Sequence, residues 1–200
     1  MDQNESEKVR CGHCQSQSEK SKKFHIWTPE EVLDSASVAA TTNSRTGAWT
    51  MEVNNPASFN HRTELLSTGR TYHFVDQWPA NCNPAQTPTL LCVHGFPDLW
   101  YGWRFQIKPW VEKGYRVVVP DMLGYGKTDM PLDSDEYSTQ KLSNDLAALL
   151  DILGIRKAVI IGHDWGAFTV SRFALWHPDR LLALIMSEYA TYHIGVYSGL

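Results

Sequence analysis

The sequence predicts an α/β fold, a mostly parallel β-sheet with flanking helices, and three observations carry that expectation. Thr89–Val93 (TLLCV), Arg116–Val119 (RVVV) and Ala158–Ile161 (AVII) are continuous, largely apolar runs, as strands buried on both faces must be. Between the last two, Leu142, Leu146, Leu149, Leu150 and Leu153 recur at helical spacing behind Ser138, a residue suited to capping a helix. A further helical stretch, Ala167–Trp176, stops before Pro178 and leads into one more apolar run, Leu181–Met186 (LLALIM). Strands and helices in alternation make an α/β sheet.

The elements ahead of that alternation are of another kind. Residues 1 to about 23 are rich in Ser, Glu, Gln and Lys without apolar periodicity and read as a solvated leader. Cys11-Gly-His-Cys14 offers two thiols and His13, but no second Cys/His pair follows at zinc-finger spacing, so no metal site is expected. Thr28, Pro29 and Glu31 form a capping box that predicts a short helix over 29–40. Residues 41–56 read as a surface linker, and Glu64–Asp76 as a hairpin turning about Ser67-Thr68-Gly69. The expected organisation is therefore a polar leader over 1–55 and an α/β core over 56–200.

Composition narrows the function classes. With 42% hydrophobic and 20% charged residues in 200, the chain suits one globular domain with a sizeable core. A formal net charge of -4 without a long basic run argues against nucleic acid or an anionic membrane surface as partner. No stretch approaches the ~18 apolar residues of a membrane span. Four cysteines, one of them (Cys92) inside an apolar run, do not form a disulfide framework. A soluble protein of a reducing, cytoplasmic compartment is expected.

In open α/β sheets, ligands bind beyond the carboxyl ends of the strands, so the residues just after each apolar run are those to read for chemistry. After TLLCV comes His94-Gly95-Phe96-Pro97-Asp98, and after AVII comes Gly162-His163-Asp164-Trp165-Gly166. The second fits small-x-nucleophile-x-small on a sharp strand-to-helix turn, with Asp164 as the nucleophile. Backbone N–H groups of Phe96 and Trp165 can converge there as an oxyanion hole, with Phe96, Pro97 and Trp165 around the substrate and Trp165 as the pocket floor. Asp164 could alternatively cap the following helix, a role aspartate fills well. His94 and Pro97 read as shaping the loop, Asp121 and Asp129 as bracing loops, and His163 as packing. Trp100, Trp103 and Trp110 read as core or pocket wall.

HGFPDLWYGWR (His94–Arg104), PDMLGYGKTD (Pro120–Asp129) and GHDWG (Gly162–Gly166) together resemble the α/β-hydrolase superfamily and, within it, the soluble epoxide hydrolases, over about residues 56–187. The resemblance implies an α/β-hydrolase fold, attack by Asp164 on an apolar epoxide to give an alkyl-enzyme ester, and release of a vicinal diol by water. It implies no metal or organic cofactor, and a cis peptide bond before Pro97. An ester explains the aspartate: serine would form an ether at saturated carbon, whereas an ester carbonyl can be attacked by water.

The resemblance also implies a lid with two tyrosines, two more strands, an orienting acid and a histidine base after Leu181–Met186. Nothing in SEYATYHIGVYSGL matches them: His193 lacks the motif spacing, and Tyr189, Tyr192 and Tyr197 cannot be assigned as lid tyrosines. The expected protein is a shortened epoxide hydrolase, able to form the ester but short of the groups for turnover. Haloalkane dehalogenases share the Asp-Trp turn, although Phe96 supplies no side-chain donor for a halide. A non-catalytic ligand binder or truncated remnant is the alternative from a different class.

Overall fold

The computed structural model describes residues 51–80 and 82–187. The helix expected over 29–40, the Cys11–Cys14 pair, His193 and the three tail tyrosines lie outside the described residues.

Among the described residues six strands form one sheet: β1 (His61–Leu65), β2 (Thr71–Gln77), β3 (Thr89–Val93), β4 (Arg116–Pro120), β5 (Ala158–His163) and β6 (Leu181–Ser187), in the order β1-β2-β4-β3-β5-β6. β1 and β2 make the expected hairpin, β2 pairs antiparallel with β4, and all remaining pairs are parallel. Among the described residues three α-helices flank the sheet: α1 (Arg104–Glu112), α2 (Thr139–Ile152) and α3 (Trp165–Trp176).

The continuous apolar runs are explained by burial on both faces. Every residue of β3 and β4 is buried. Alternation then sends Leu91 and Val93 into a core closed by Leu146, Leu149 and Leu150 of α2 and Val170 and Phe173 of α3. Leu90 and Cys92 point the other way, into a core with Ile107, Trp110 and Val111 of α1. Each fully buried Leu, Val or Ile contributes roughly 1.5–3 kcal/mol. Ser138 caps α2 as the sequence suggests, accepting from the Lys141 N–H at 3.4 Å.

Helix α1 has no counterpart in the expectations. Its buried positions, Ile107, Trp110 and Val111, do follow helical spacing, but the helix is nine residues long and carries Pro109 inside it, a residue that ordinarily argues against a helix. The core also reaches back before residue 56: Met51 packs against the α1-side core, and the Tyr101 hydroxyl donates to the Val53 carbonyl at 3.0 Å. Among the described residues no helix is long and apolar enough to cross a membrane.

One buried ion cluster ties the hairpin to the parallel sheet. Asp76 of β2 accepts two hydrogen bonds from the Arg116 guanidinium of β4, both at 2.8 Å, and one from Arg62 of β1, also at 2.8 Å. Arg116 lies over the Trp78 ring, 4.1 Å from its centroid, which keeps the fork in place. Removing one partner of a buried pair strands the other's charge, so Arg116→Ala is expected to destabilise the chain by about 3 kcal/mol in urea unfolding. Arg116→Lys, which keeps the charge but loses the fork, should fall between the two.

Candidate active site

The site begins with a steric demand. β5 ends at His163 and α3 begins at Trp165, so the chain reverses through the single residue Asp164, at φ 54° and ψ -122°. A non-glycine residue there is strained by roughly 1–3 kcal/mol, and it persists only because its surroundings leave no other course. Those surroundings are backbone. A methyl group on Gly162 would lie 2.5 Å from the Gly166 carbonyl oxygen, and one on Gly166 would run into the carbonyls of Val93 and His94. A methyl on Gly95 would lie 2.5 Å from both Cβ and Oδ1 of Asp164. Three glycines thus let the end of β3, the turn and α3 close on one another.

The reversal aims the Asp164 side chain away from its own helix. It stands at the cap position of α3 without capping it, and its Oδ1 instead accepts the Phe96 N–H at 2.9 Å. The N–H groups of Phe96 and then Trp165 hold the Asp164 carboxyl below its usual range. The two donors read from the sequence as an oxyanion hole therefore both act on this carboxylate, Phe96 at Oδ1. The Phe96–Pro97 bond is cis.

The loops carrying these donors are locked to each other. His94 donates from Nδ1 to the Gly95 carbonyl at 2.8 Å and accepts at Nε2 from the Met122 N–H at 2.9 Å, a pattern that a neutral imidazole satisfies. Burial likewise pushes the His94 imidazole toward its neutral form. Asp121 accepts from Trp100 N–H at 3.0 Å, His73 Nδ1 at 2.7 Å and Lys127 N–H at 3.3 Å. Burial alone would push the Asp121 carboxyl up; the His73 donor and the two backbone donors outweigh it and hold it down. Asp129 accepts from the Thr71 N–H at 2.7 Å. Both aspartates hold loops, as their positions after β4 suggested.

Beside Asp164 opens a cavity of about 440 Å³. Gly95, Phe96 and Trp165 adjoin the carboxylate; Met122, Leu123, Tyr125, Tyr137, Leu142 and Thr169 form the wall. Phe96 and Trp165 are each 64% exposed, so Trp165 stands at the rim, whereas the sequence reading put it on the floor. Pro97 is not among the lining residues. Trp103, Trp110 and His163 line a smaller cavity of about 260 Å³ on the α1 side, while Trp100 is buried in the core. The sequence reading passed over the tyrosines. Tyr125 lies just past the carboxyl end of β4, where the strand-end rule would have found it. Among the described residues no cluster of His, Cys, Asp or Glu could hold a metal ion.

A strained strand-to-helix turn above a mostly parallel sheet with flanking helices is the architecture of the α/β-hydrolase fold. Residues 88–192 match the family model described as alpha/beta hydrolase fold, and the chain belongs to that family. It is 37% identical over 129 residues to bifunctional epoxide hydrolase 2 of Sus scrofa, covering 64% of this chain and 22% of that protein. It is 46% identical over 98 residues to epoxide hydrolase 3 of Siraitia grosvenorii, covering 49% and 31%. Epoxide hydrolase 4 of Homo sapiens is 40% identical over 125 residues, covering 62% and 33%. The chain spans a third or less of the length of these relatives. Among solved structures, epoxide hydrolase A from Mycobacterium thermoresistibile superposes with a TM-score of 0.59 at 38% identity, over 64% of this chain and 38% of that one. An epoxide hydrolase from Vigna radiata gives 0.60 at 34% identity, over 66% and 39%.

The strain at Asp164 can be measured apart from its charge. Asp164→Ala and Asp164→Gly both remove the carboxylate, but only glycine relaxes at positive φ. The glycine variant is expected to be the more stable of the two by about 1–3 kcal/mol in denaturant unfolding. Equal stabilities would mean that the turn is unstrained.

Proposed function

We propose that this chain carries the nucleophile and oxyanion hole of an epoxide hydrolase, acting on an apolar epoxide with water as second substrate. The observation that carries the reading is the Asp164 carboxylate, raised on a strained turn with Oδ1 on the Phe96 N–H. Oδ2 attacks an epoxide carbon, the ring C–O bond breaks, and Asp164 becomes an alkyl ester. Oδ1 is then the ester carbonyl oxygen. Water attack on that carbonyl puts negative charge on Oδ1, where the two N–H groups stabilise it, and collapse returns the carboxylate and releases a diol. Similarity to the epoxide hydrolases supports the substrate class, and the apolar cavity supports an apolar epoxide. Water attack needs a general base, and ester formation is the step assigned to the described residues.

The same reading puts the protein in a reducing, cytoplasmic compartment. Cys82 and Cys92 are unpaired thiols, and burial of Cys92 in β3 pushes its thiol up, out of the reactive range.

Incubation with styrene oxide is expected to add one substrate mass to the intact chain, mapping to Asp164 and absent from Asp164→Ala. Labelling that persists undiminished in the variant would remove the reading. The pH dependence follows from the lowered carboxyl. A depressed pKa keeps the nucleophile ionised below the ordinary aspartate value of about 3.9, and reactivity is lost only as pH falls through the lowered value. The ester-forming rate, as far as it reports Asp164, should stay level from about pH 8 down to about pH 5; a midpoint inside that window would contradict the assignment.

A further inference from the structure

Strand register puts two histidines on one face of the hairpin. His61 lies opposite Val75 and His73 opposite Thr63, so the two are diagonal neighbours across β1 and β2, within reach of each other's rings. His61 Nδ1 is 2.9 Å from His73 Nε2. The two remaining ring nitrogens both face oxygen. His61 Nε2 is 2.9 Å from the Pro56 carbonyl, and His73 Nδ1 is 2.7 Å from Asp121 Oδ2.

The ends of this series decide how many protons it holds. A carbonyl only accepts, and the Asp121 carboxylate, which also takes the Trp100 and Lys127 N–H groups, accepts as well. Each of the three contacts therefore needs an N–H from a ring: one to Pro56, one between the rings and one to Asp121. Two neutral imidazoles bring two N–H groups between them. A third proton completes the series and gives the two rings together one positive charge. His73 is only 2% exposed, and the Asp121 carboxylate against it supplies the opposite charge that a buried cation needs. From the other elements packed here, the Pro56 segment presents a carbonyl and Trp100 an edge-on ring, 5.0 Å from that of His61. Arg62 and Arg116 are engaged by Asp76, and His94 is held toward its neutral form.

We propose that His61 and His73 share one extra proton, and that the resulting cation positions the loop after β3. The cation holds Asp121, and Asp121 holds the Trp100 N–H, four residues beyond the Phe96 donor. His61 is exposed and His73 buried, so His61 is the point at which the shared proton exchanges with solvent. Loss of that proton leaves one contact with two lone pairs facing each other, and the segment tied to Asp121 shifts. The inference rests on hydrogen-bond geometry and not on the alkyl-ester reading.

NMR of the full chain, labelled in the histidine rings and the backbone, counts these protons directly. At about pH 7.5, where a histidine of ordinary value, about 6.5, is mostly neutral, three of the four ring nitrogens of His61 and His73 are expected to carry protons. Raising the pH should remove one proton in a single step that belongs to both rings, and the Phe96 and Trp100 N–H signals should shift with the same midpoint. His61→Gln offers His73 Nε2 a neutral N–H donor, so the variant should have two neutral-ring nitrogens at His73, one protonated and one not, and should lose the step. Only two protonated nitrogens in the unsubstituted chain overturn the proposal, whether or not the variant folds. Three protons without a matching shift at Phe96 and Trp100 overturn the positioning role. A step at those two N–H groups that survives in His61→Gln belongs to another group and overturns it equally. None of these outcomes depends on whether Asp164 forms an ester.

Discussion

The close approach of α3 to the end of β3 governs the rest of the site. Gly166, in the first turn of α3, sits against the carbonyls of Val93 and His94, and Gly95 sits against the Asp164 side chain. Backbone packed directly on backbone cannot be displaced by a rotamer change, so the reversal between β5 and α3 has no room to relax. Asp164 takes positive φ as a result. The same contact brings the Phe96 N–H within 2.9 Å of Asp164 Oδ1, so strain and hydrogen bond have one cause. The placement of the Asp164 carboxylate and its Phe96 donor is a consequence of packing before it is chemistry.

Such a contact holds its geometry only if the loops on either side are fixed. The fixing groups are buried and fully engaged: His94 bridges the β3 loop to Met122, and Asp121 joins the Trp100 and Lys127 backbones to His73 of β2. His73 also meets His61 of β1, ring nitrogens 2.9 Å apart, which carries the support to the edge of the sheet. Removing any one member would leave a buried partner unsatisfied, at a cost of about 1–3 kcal/mol each. Mutual satisfaction of this kind makes the frame stiff, and a stiff frame is what preorganised donors require.

Much of this was legible in the sequence because the physics behind it is local. Continuous runs such as TLLCV report burial on both faces, and the leucine spacing of 142–153 reports one helix face; both appear where expected. The turn at Asp164 was legible because only small residues fit on either side of it. Helix α1 was not, since nine residues with an internal proline present too few turns for periodicity to outweigh the breaker. Tyr125 was missed for a different reason. A Gly-Tyr-Gly triplet reads as a turn, and the turn is there, but which cavity its ring enters depends on His94 and Asp121 holding two separate loops together. The exposure of Trp165 follows from the same limit: a side chain at a strand end can be assigned to the site, while its depth depends on segments remote in the sequence.

The backbone donors at the Asp164 carboxylate raise a question of balance in the proposed reaction. Hydrogen bonds that hold the Asp164 carboxyl low also stabilise the resting nucleophile, and stabilising a ground state alone slows the step that leaves it. Their use lies in the next step. During alkylation the charge leaves Oδ2, and the oxygen in the hole becomes a neutral ester carbonyl, so the donors lose part of their interaction. During water attack a full negative charge gathers on Oδ1, and the same N–H groups interact more strongly with it than with a carboxylate sharing its charge over two oxygens. The site therefore favours ester hydrolysis over ester formation, and the ring-opening step must recover the difference elsewhere. A proton delivered to the departing oxygen acts on that step directly and lowers its barrier.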